Sequence, residues 1–306
     1  MKPTDKTECD GIIGWLTGGD NPAVAYRTKK ELSDIPAGDI EDDRATAREW
    51  LFGKLPDGWH QTKGIWYIYY LTAAAEAGLS ADILDRECLL PAFDILEKPC
   101  SYSCSEFMLL RALVMLGCGG GDSCEPSVSR RIEEIDAGAL PDGGFLCRER
   151  LDKLDYTPKS CYKANLFALM LAAECKKRGI KTGFTDGILY YFLRRDVFYK
   201  SSDRNSLVLD CRPGWRTVDT FYPFEPMRVG IQNVVESLCA LGCGGMDELI
   251  PAWEILNSKA GDADGKIILD GTLSKSYLPK QRVGKPDKWV TFYTLLAKKE
   301  AGIWQR

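Results

Sequence analysis

Leu116-Gly117-Cys118-Gly119-Gly120 and Leu241-Gly242-Cys243-Gly244-Gly245 are the same pentapeptide, and each closes a segment with helical apolar spacing. Leu109-Leu110-Arg111-Ala112-Leu113-Val114-Met115 precedes the first copy, and Val234-Val235-Glu236-Ser237-Leu238-Cys239-Ala240 the second. A second echo runs alongside: Leu90-Pro91-Ala92-Phe93-Asp94-Ile95-Leu96 returns as Ile250-Pro251-Ala252-Trp253-Glu254-Ile255-Leu256. Repeated helical units bury their core by packing each on its neighbours, so the repeat points to the architecture before any chemistry is considered.

Working outward, Gly and Pro cut the helical periodicity into paired segments, and no strand ladder is expected. A first helix is predicted over 22–33, with Asn21 as its cap and Pro22 in its first turn. Five pairs follow, with leading helices near 42–54, 82–97, 126–137, 186–195 and 247–257 and partners near 61–77, 105–117, 160–178, 229–241 and 288–301. The partners are the more apolar, which predicts burial on both sides, whereas the leading helices carry charged faces and belong outside. Gly78, Gly117, Gly179, Gly242 and Gly302 close the partners, where a left-handed C-terminal cap favours a residue without Cβ. The expected fold is all-α, an α/α toroid with inner and outer helix layers. It forms a single domain over 1–306, with 1–40 as an N-terminal extension and first helix and 41–306 as the five pairs. An open solenoid of the same pairs is the alternative.

A hydrophobic fraction of 45% and a charged fraction of 27% are globular values. The formal charge of −4 gives no basis for general nucleic-acid binding. The polar start Met1-Lys2-Pro3-Thr4-Asp5-Lys6 has no apolar stretch behind it to serve as a signal, and the most apolar run, 65–75, is far short of a membrane span. A cytoplasmic protein is expected. The 12 cysteines are scattered through helical segments and read as reduced, mostly buried small hydrophobes.

Pro141-Asp142-Gly143-Gly144-Phe145, followed by Tyr162-Lys163-Ala164-Asn165-Leu166, resembles the repeat of protein prenyltransferase β subunits and squalene cyclases, members of the terpenoid cyclase superfamily. Asp57-Gly58-Trp59 repeats its first half, and Gln61-Thr62-Lys63-Gly64-Ile65-Trp66 looks like a shortened cyclase Gln-Trp motif. The opening around Trp15 and Asp20 to Arg27, and the ending Lys288-Trp289-Val290-Thr291, resemble uncharacterised bacterial members. The resemblance implies an α/α toroid, with Arg150 and Lys153 on a diphosphate and Asp155 and Cys161 as zinc ligands. The pattern departs from the family in two places. Five residues separate Asp155 from Cys161 where the family has one, and the late histidine ligand is missing, since His60 is the only histidine. No zinc or other cofactor is therefore expected.

Read residue by residue, the strongest signal is cationic. Arg148, Arg150, Lys153, Lys159 and Lys163 precede the third partner helix, Arg212, Arg216 and Arg228 the fourth, and Lys275, Lys280, Arg282, Lys285 and Lys288 the fifth. Helix N-termini favour anions, so these clusters are candidate anion sites; solvated loop cations are the plainer alternative. Trp59, Trp66, Tyr102, Tyr162, Trp215, Tyr222, Tyr277 and Trp289 sit at the same helix ends, as a cup for an apolar chain, a carbocation or a sugar face, or simply as core. Asp219, Asp155 and His60 are the candidate acid-base groups, with a hydrogen bond inside its own turn the plainer reading of His60. Cys100, Cys104, Cys147 and Cys161 could in principle compose a thiolate metal site. Gly117 to Asp122 lacks the Lys-Ser/Thr ending of a phosphate loop and reads as a capping turn, and Asp262-Ala263-Asp264-Gly265 places its glycine too early for an EF-hand.

Three functions compete: a prenyltransferase-like or cyclase-like protein holding an isoprenoid diphosphate or similar anionic amphiphile; a hydrolase or lyase on acidic sugars, using Asp57, Asp142 and Asp219; and a non-catalytic scaffold for a small molecule or a protein partner.

Overall fold

The computed structural model describes residues 6–119, 125–156, 158–223, 227–261, 265–272 and 282–304, the side chains of 6–9 excepted. In chain order the helices are α1 (Lys6–Thr17), α2 (Pro22–Arg27), α3 (Glu41–Phe52), α4 (Ile65–Glu76), α5 (Arg86–Leu96), α6 (Cys104–Met115), α7 (Pro126–Asp136), α8 (Arg148–Leu151), α9 (Tyr162–Lys177), α10 (Thr185–Leu193), α11 (Ile231–Ala240), α12 (Ile250–Asn257) and α13 (Lys288–Glu300), with strands β1 (Tyr199–Lys200) and β2 (Asp203–Leu207) between α10 and α11. Two compact units result, one of residues 1–57 with 198–306 and one of 58–197.

In the 58–197 unit α4 packs on α6 and α6 on α9. Every residue of α4 from Tyr67 to Glu76, and of α6 from Glu106 to Met115, is buried. Here α5 packs against α7, burying only Cys88, Leu89, Ala92 and Leu96, a single helical face. In the other unit α11 packs on α13, α12 on α11 and α2 on α3, with every residue of α11 buried. The expected division into buried partners and half-exposed leading helices therefore holds inside each unit. Asn21 caps α2 by accepting from Val24 N at 3.3 Å.

The five predicted cap glycines all have positive φ, from +70° to +92°. The next residue then donates back across the last turn, as Cys118 N does to Leu113 O and Cys243 N to Leu238 O, both at 2.9 Å. At the opposite ends a polar side chain in the first turn of a partner helix fastens the backbone that precedes it. Glu106 accepts from Ser101 N and Tyr102 N, Asn165 from Phe145 N, Gln232 accepts from Phe221 N and donates to Phe221 O, and Thr291 Oγ1 accepts from Ile267 N.

Four features depart from expectation. Helix α1 and the β1–β2 hairpin were not foreseen, the hairpin because Ser201-Ser202-Asp203-Arg204-Asn205 is polar and lacks a turn glycine. A π-helical turn, Thr28–Leu32, continues α2. The partner helices also bury ions: Arg111 of α6 reaches Glu76 of α4 at 2.6 Å and Glu174 of α9 at 3.8 Å, and none of the three side chains is more than 9% exposed.

Candidate functional site

Three backbone ties shape the segment between β2 and α11 in the 1–57/198–306 unit. Val208 N donates to Phe198 O, Thr217 Oγ1 returns to Val208 O at 2.8 Å, and Trp215 N closes a turn on Arg212 O. Gly214, at φ +77°, lies against Gly271, where an added Cβ would come within 2.5 Å of Gly214 O, so the two backbones require glycine at this crossing. Thr220 sews the same strip down, donating from Oγ1 to Ile268 O at 2.6 Å and from N to Asp270 Oδ2 at 3.0 Å.

Charge fixes the layer beneath. Asp219 is 2% exposed and accepts from Arg216 three times, through N at 3.0 Å, Nε at 3.2 Å and Nη2 at 3.1 Å. Lys259 Nζ lies 4.0 Å from Asp219 and 2.7 Å from Asp270. Two cations and two carboxylates thus balance, and this set, of which Asp219 is buried and the other three are half-buried, joins the 208–221 loop to 259 and 270. Asp219 is an anchor for Arg216 in this geometry.

Above it stands a cationic aromatic surface. The Arg228 guanidinium lies 3.5 Å from the Trp215 ring centre and 4.3 Å from that of Phe221, and Arg212 lies 4.5 Å from Trp215. Arg228 Nη2 also donates to Gly214 O at 3.0 Å, and Met227 before it takes a left-handed φ of +60°, a costly conformation for a non-glycine residue. Trp215 remains 42% exposed. Arg212 is exposed and its guanidinium has no hydrogen-bond partner among the described residues, leaving its forked donors for a carboxylate or phosphate. Tyr222, expected in the cup, is buried core at 1% exposure, and Arg282 lies exposed in a turn with Lys285. Lys275, Lys280 and Tyr277 lie outside the described residues, as do Gly120 to Cys124 and Asp262 to Asp264.

In the 58–197 unit the candidates fall apart. Arg150 is exposed, and Lys153 pairs with Glu149 at 2.9 Å on side chains 68% and 83% exposed, a solvent-screened contact. Asp155 is exposed on the loop beyond. Tyr162 is buried and donates to Val197 O at 2.9 Å; burial holds its hydroxyl well above the usual tyrosine range. Trp59 stacks on Tyr67 with ring centres 6.3 Å apart, and half-buried His60 sits edge-on to Trp59 at 5.9 Å. Tyr102 stacks on Phe145 at 6.3 Å and carries Arg148 over its ring at 5.5 Å. Asp142 accepts from Ser160 N and Oγ and from Gly144 N, holding the Asp-Gly-Gly-Phe turn.

The four-cysteine metal site is not formed: among the described residues no three His, Cys, Asp or Glu side chains gather as metal ligands. Cys100 instead donates to Glu106 Oε2 at 3.6 Å, and burial, with Cys161 and Cys147 nearby, pushes the Cys104 thiol up to about 11, against the thiolate a metal needs.

Sequence reasoning grouped Arg212, Arg216 and Arg228 but missed Lys259 and Asp270. A charge at residue 259 that meets partners 40 and 11 positions away leaves no local signal.

No protein-family model matches the chain, and no curated protein matches it. Two solved structures do, in fold. One is a polysaccharide lyase, at a TM-score of 0.55 and 13% identity, covering 96% of this chain and 97% of the other. The second is a glycosyl hydrolase family 88 protein from Bacteroides vulgatus, at a TM-score of 0.54 and 11% identity over 98% of this chain and 100% of that one. The chain has the all-α fold of α/α toroid type that these two share. Among the described residues no helix is long and apolar enough to cross a membrane.

Proposed function

We propose that the protein is a carbohydrate-active enzyme, a hydrolase or lyase on acidic sugars, which receives a uronate at Trp215, Arg212 and Arg228. The observation that carries this reading is the exposed indole attended by two guanidiniums. Arg212 offers charge-assisted donors to a carboxylate, Arg228 adds its positive charge beside the ring, and the uncovered part of the indole meets the apolar C–H face of a sugar ring. Asp219, committed to Arg216, positions the loop beneath. The likeness in fold to a polysaccharide lyase and a glycosyl hydrolase supports the acidic-sugar reading over an isoprenoid diphosphate, whose expected holders Arg150 and Lys153 are solvent-exposed.

Titration calorimetry with oligogalacturonate, and with its neutral methyl ester, tests the binding step. The acid is expected to bind and the ester to bind at least about tenfold more weakly, with Trp215→Ala and Arg212→Ala each costing the acid about 1 to 3 kcal/mol. Equal binding of acid and ester, or indifference to both substitutions, would end the proposal. Product analysis then separates the chemistries: elimination leaves an ultraviolet-absorbing double bond conjugated to the carboxylate, and hydrolysis leaves only a new reducing end.

A further inference from the structure

The second pentapeptide, expected from the sequence to be only a helix cap, forms one wall of an open groove of about 450 Å³ in the 1–57/198–306 unit. Gly244 and Gly245 supply that wall, the outer face of α12 a second, and Ile303, just beyond Gly302 after α13, a third. In the first pentapeptide the corresponding isoleucine, Ile180 after Gly179, closes on Gly119 together with Val114 and Val128, within 3.0 to 3.3 Å of where a Cβ would stand. Ile303 lines an opening instead.

The groove has an apolar lining and acidic flanks. Met246, in the turn before α12, and Ile250, its first residue, are 39% and 50% exposed, two large apolar side chains left side by side at the surface. Trp253 contributes its edge, with Nε1 already donating to Gly244 O at 3.2 Å, so the indole offers no free donor. Asp247 and Glu254 are exposed at the rim, form no ion pair among the described residues, and no lysine or arginine lines the groove.

From this combination we infer that the groove binds a small organic cation, an ammonium group on an aromatic or aliphatic body. The volume is in the range of small-molecule sites, about 300 to 1,000 Å³. The body lies against Met246, Ile250 and Ile303, and the ammonium faces Asp247 and Glu254. An anion would meet two carboxylates, and a neutral molecule would gain only the apolar contact. The site is opposite in charge to the Trp215 surface and does not depend on the acidic-sugar reading.

The test uses three ligands of one shape and different charge, phenethylamine, phenethyl alcohol and hydrocinnamate, titrated calorimetrically into the whole protein. Phenethylamine is expected to bind, the alcohol several-fold more weakly, and hydrocinnamate not at all. Asp247→Asn with Glu254→Gln should weaken the amine about three- to tenfold and leave the alcohol unchanged. Gly245→Leu supplies a plug: a Cβ there meets nothing within 4 Å and the backbone is not left-handed, so the variant should fold as wild type by circular dichroism and lose amine binding. No binding of phenethylamine at millimolar concentration, equal affinity for amine and alcohol, or undiminished binding by folded Gly245→Leu would each overturn the inference.

Discussion

Removing Arg111 should destabilise the protein more than any single truncation on its surface. Its guanidinium lies 2.6 Å from Glu76, which is fully buried, and 3.8 Å from Glu174, so Arg111→Met takes that cation from two carboxylates inside the α4, α6 and α9 packing, Glu174 keeping Lys177 at 3.5 Å. A unit pair about 4 Å apart interacts by roughly 4 kcal/mol at an effective dielectric near 20. Breaking such a buried pair by removing one partner costs about 3 to 5 kcal/mol. Urea unfolding followed by circular dichroism should show the midpoint falling by about 1 M, for a slope near 3 kcal/mol per molar. The triple variant Glu76→Gln, Arg111→Met, Glu174→Gln removes the carboxylate charges that lost this cation and should recover at least about 1 kcal/mol of the loss. An Arg111→Met stability within about 1 kcal/mol of wild type, or a triple variant no better than the single one, would refute the assignment of this energy to carboxylates deprived of their cation.

Three further outcomes are expected. Gly143→Ala should cost about 2 kcal/mol or more in urea unfolding, because Gly143 sits at φ +83° and a Cβ would come within 2.3 Å of the Gly187 carbonyl oxygen, which is backbone and has little room to give. Asp219→Asn should cost about 1.5 to 3 kcal/mol by weakening three charge-assisted bonds from Arg216, measured in the same way. Iodoacetamide at pH 8 should label exposed Cys211 well before Cys104 and Cys118. Burial raises both of those thiols to about 11, so their thiolate fraction at pH 8 is on the order of one in a thousand and grows as pH rises toward that value; peptide mass mapping reads the order.

The partner helices were legible because apolar periodicity and cap glycines are local signals: the expected 105–117 is α6 at Cys104–Met115, and the expected 288–301 is α13 at Lys288–Glu300. Their internal ions were less so. Glu76 and Arg111 are isolated charges within apolar stretches and Glu174 closes another, all visible in the sequence, but nothing local says that they meet. In the candidate site the sequence grouped three arginines of like sign. The fold then divides them, turning Arg216 inward onto Asp219 and leaving Arg212 and Arg228 on Trp215. The loop that carries them is tied down where Thr220 meets Asp270, 50 residues away, a pairing only the folded backbone reveals.

The side chains that fasten four of the five partner helices to the backbone before them bear on how such a chain can change over time. The fastened points are 5 residues apart at Glu106, 11 at Gln232, 20 at Asn165 and 24 at Thr291. Lengthening a closed loop from 5 to 24 residues costs only about 1.4 kcal/mol in chain entropy, comparable to one or two hydrogen bonds. Each clasp therefore works as a fixed mooring between which sequence can be inserted or deleted while the helix start keeps its register. The scaffold can exchange its ligand-facing loops one at a time, and variation in the specificity of such a fold should be written in the lengths between moorings more than in the helices themselves.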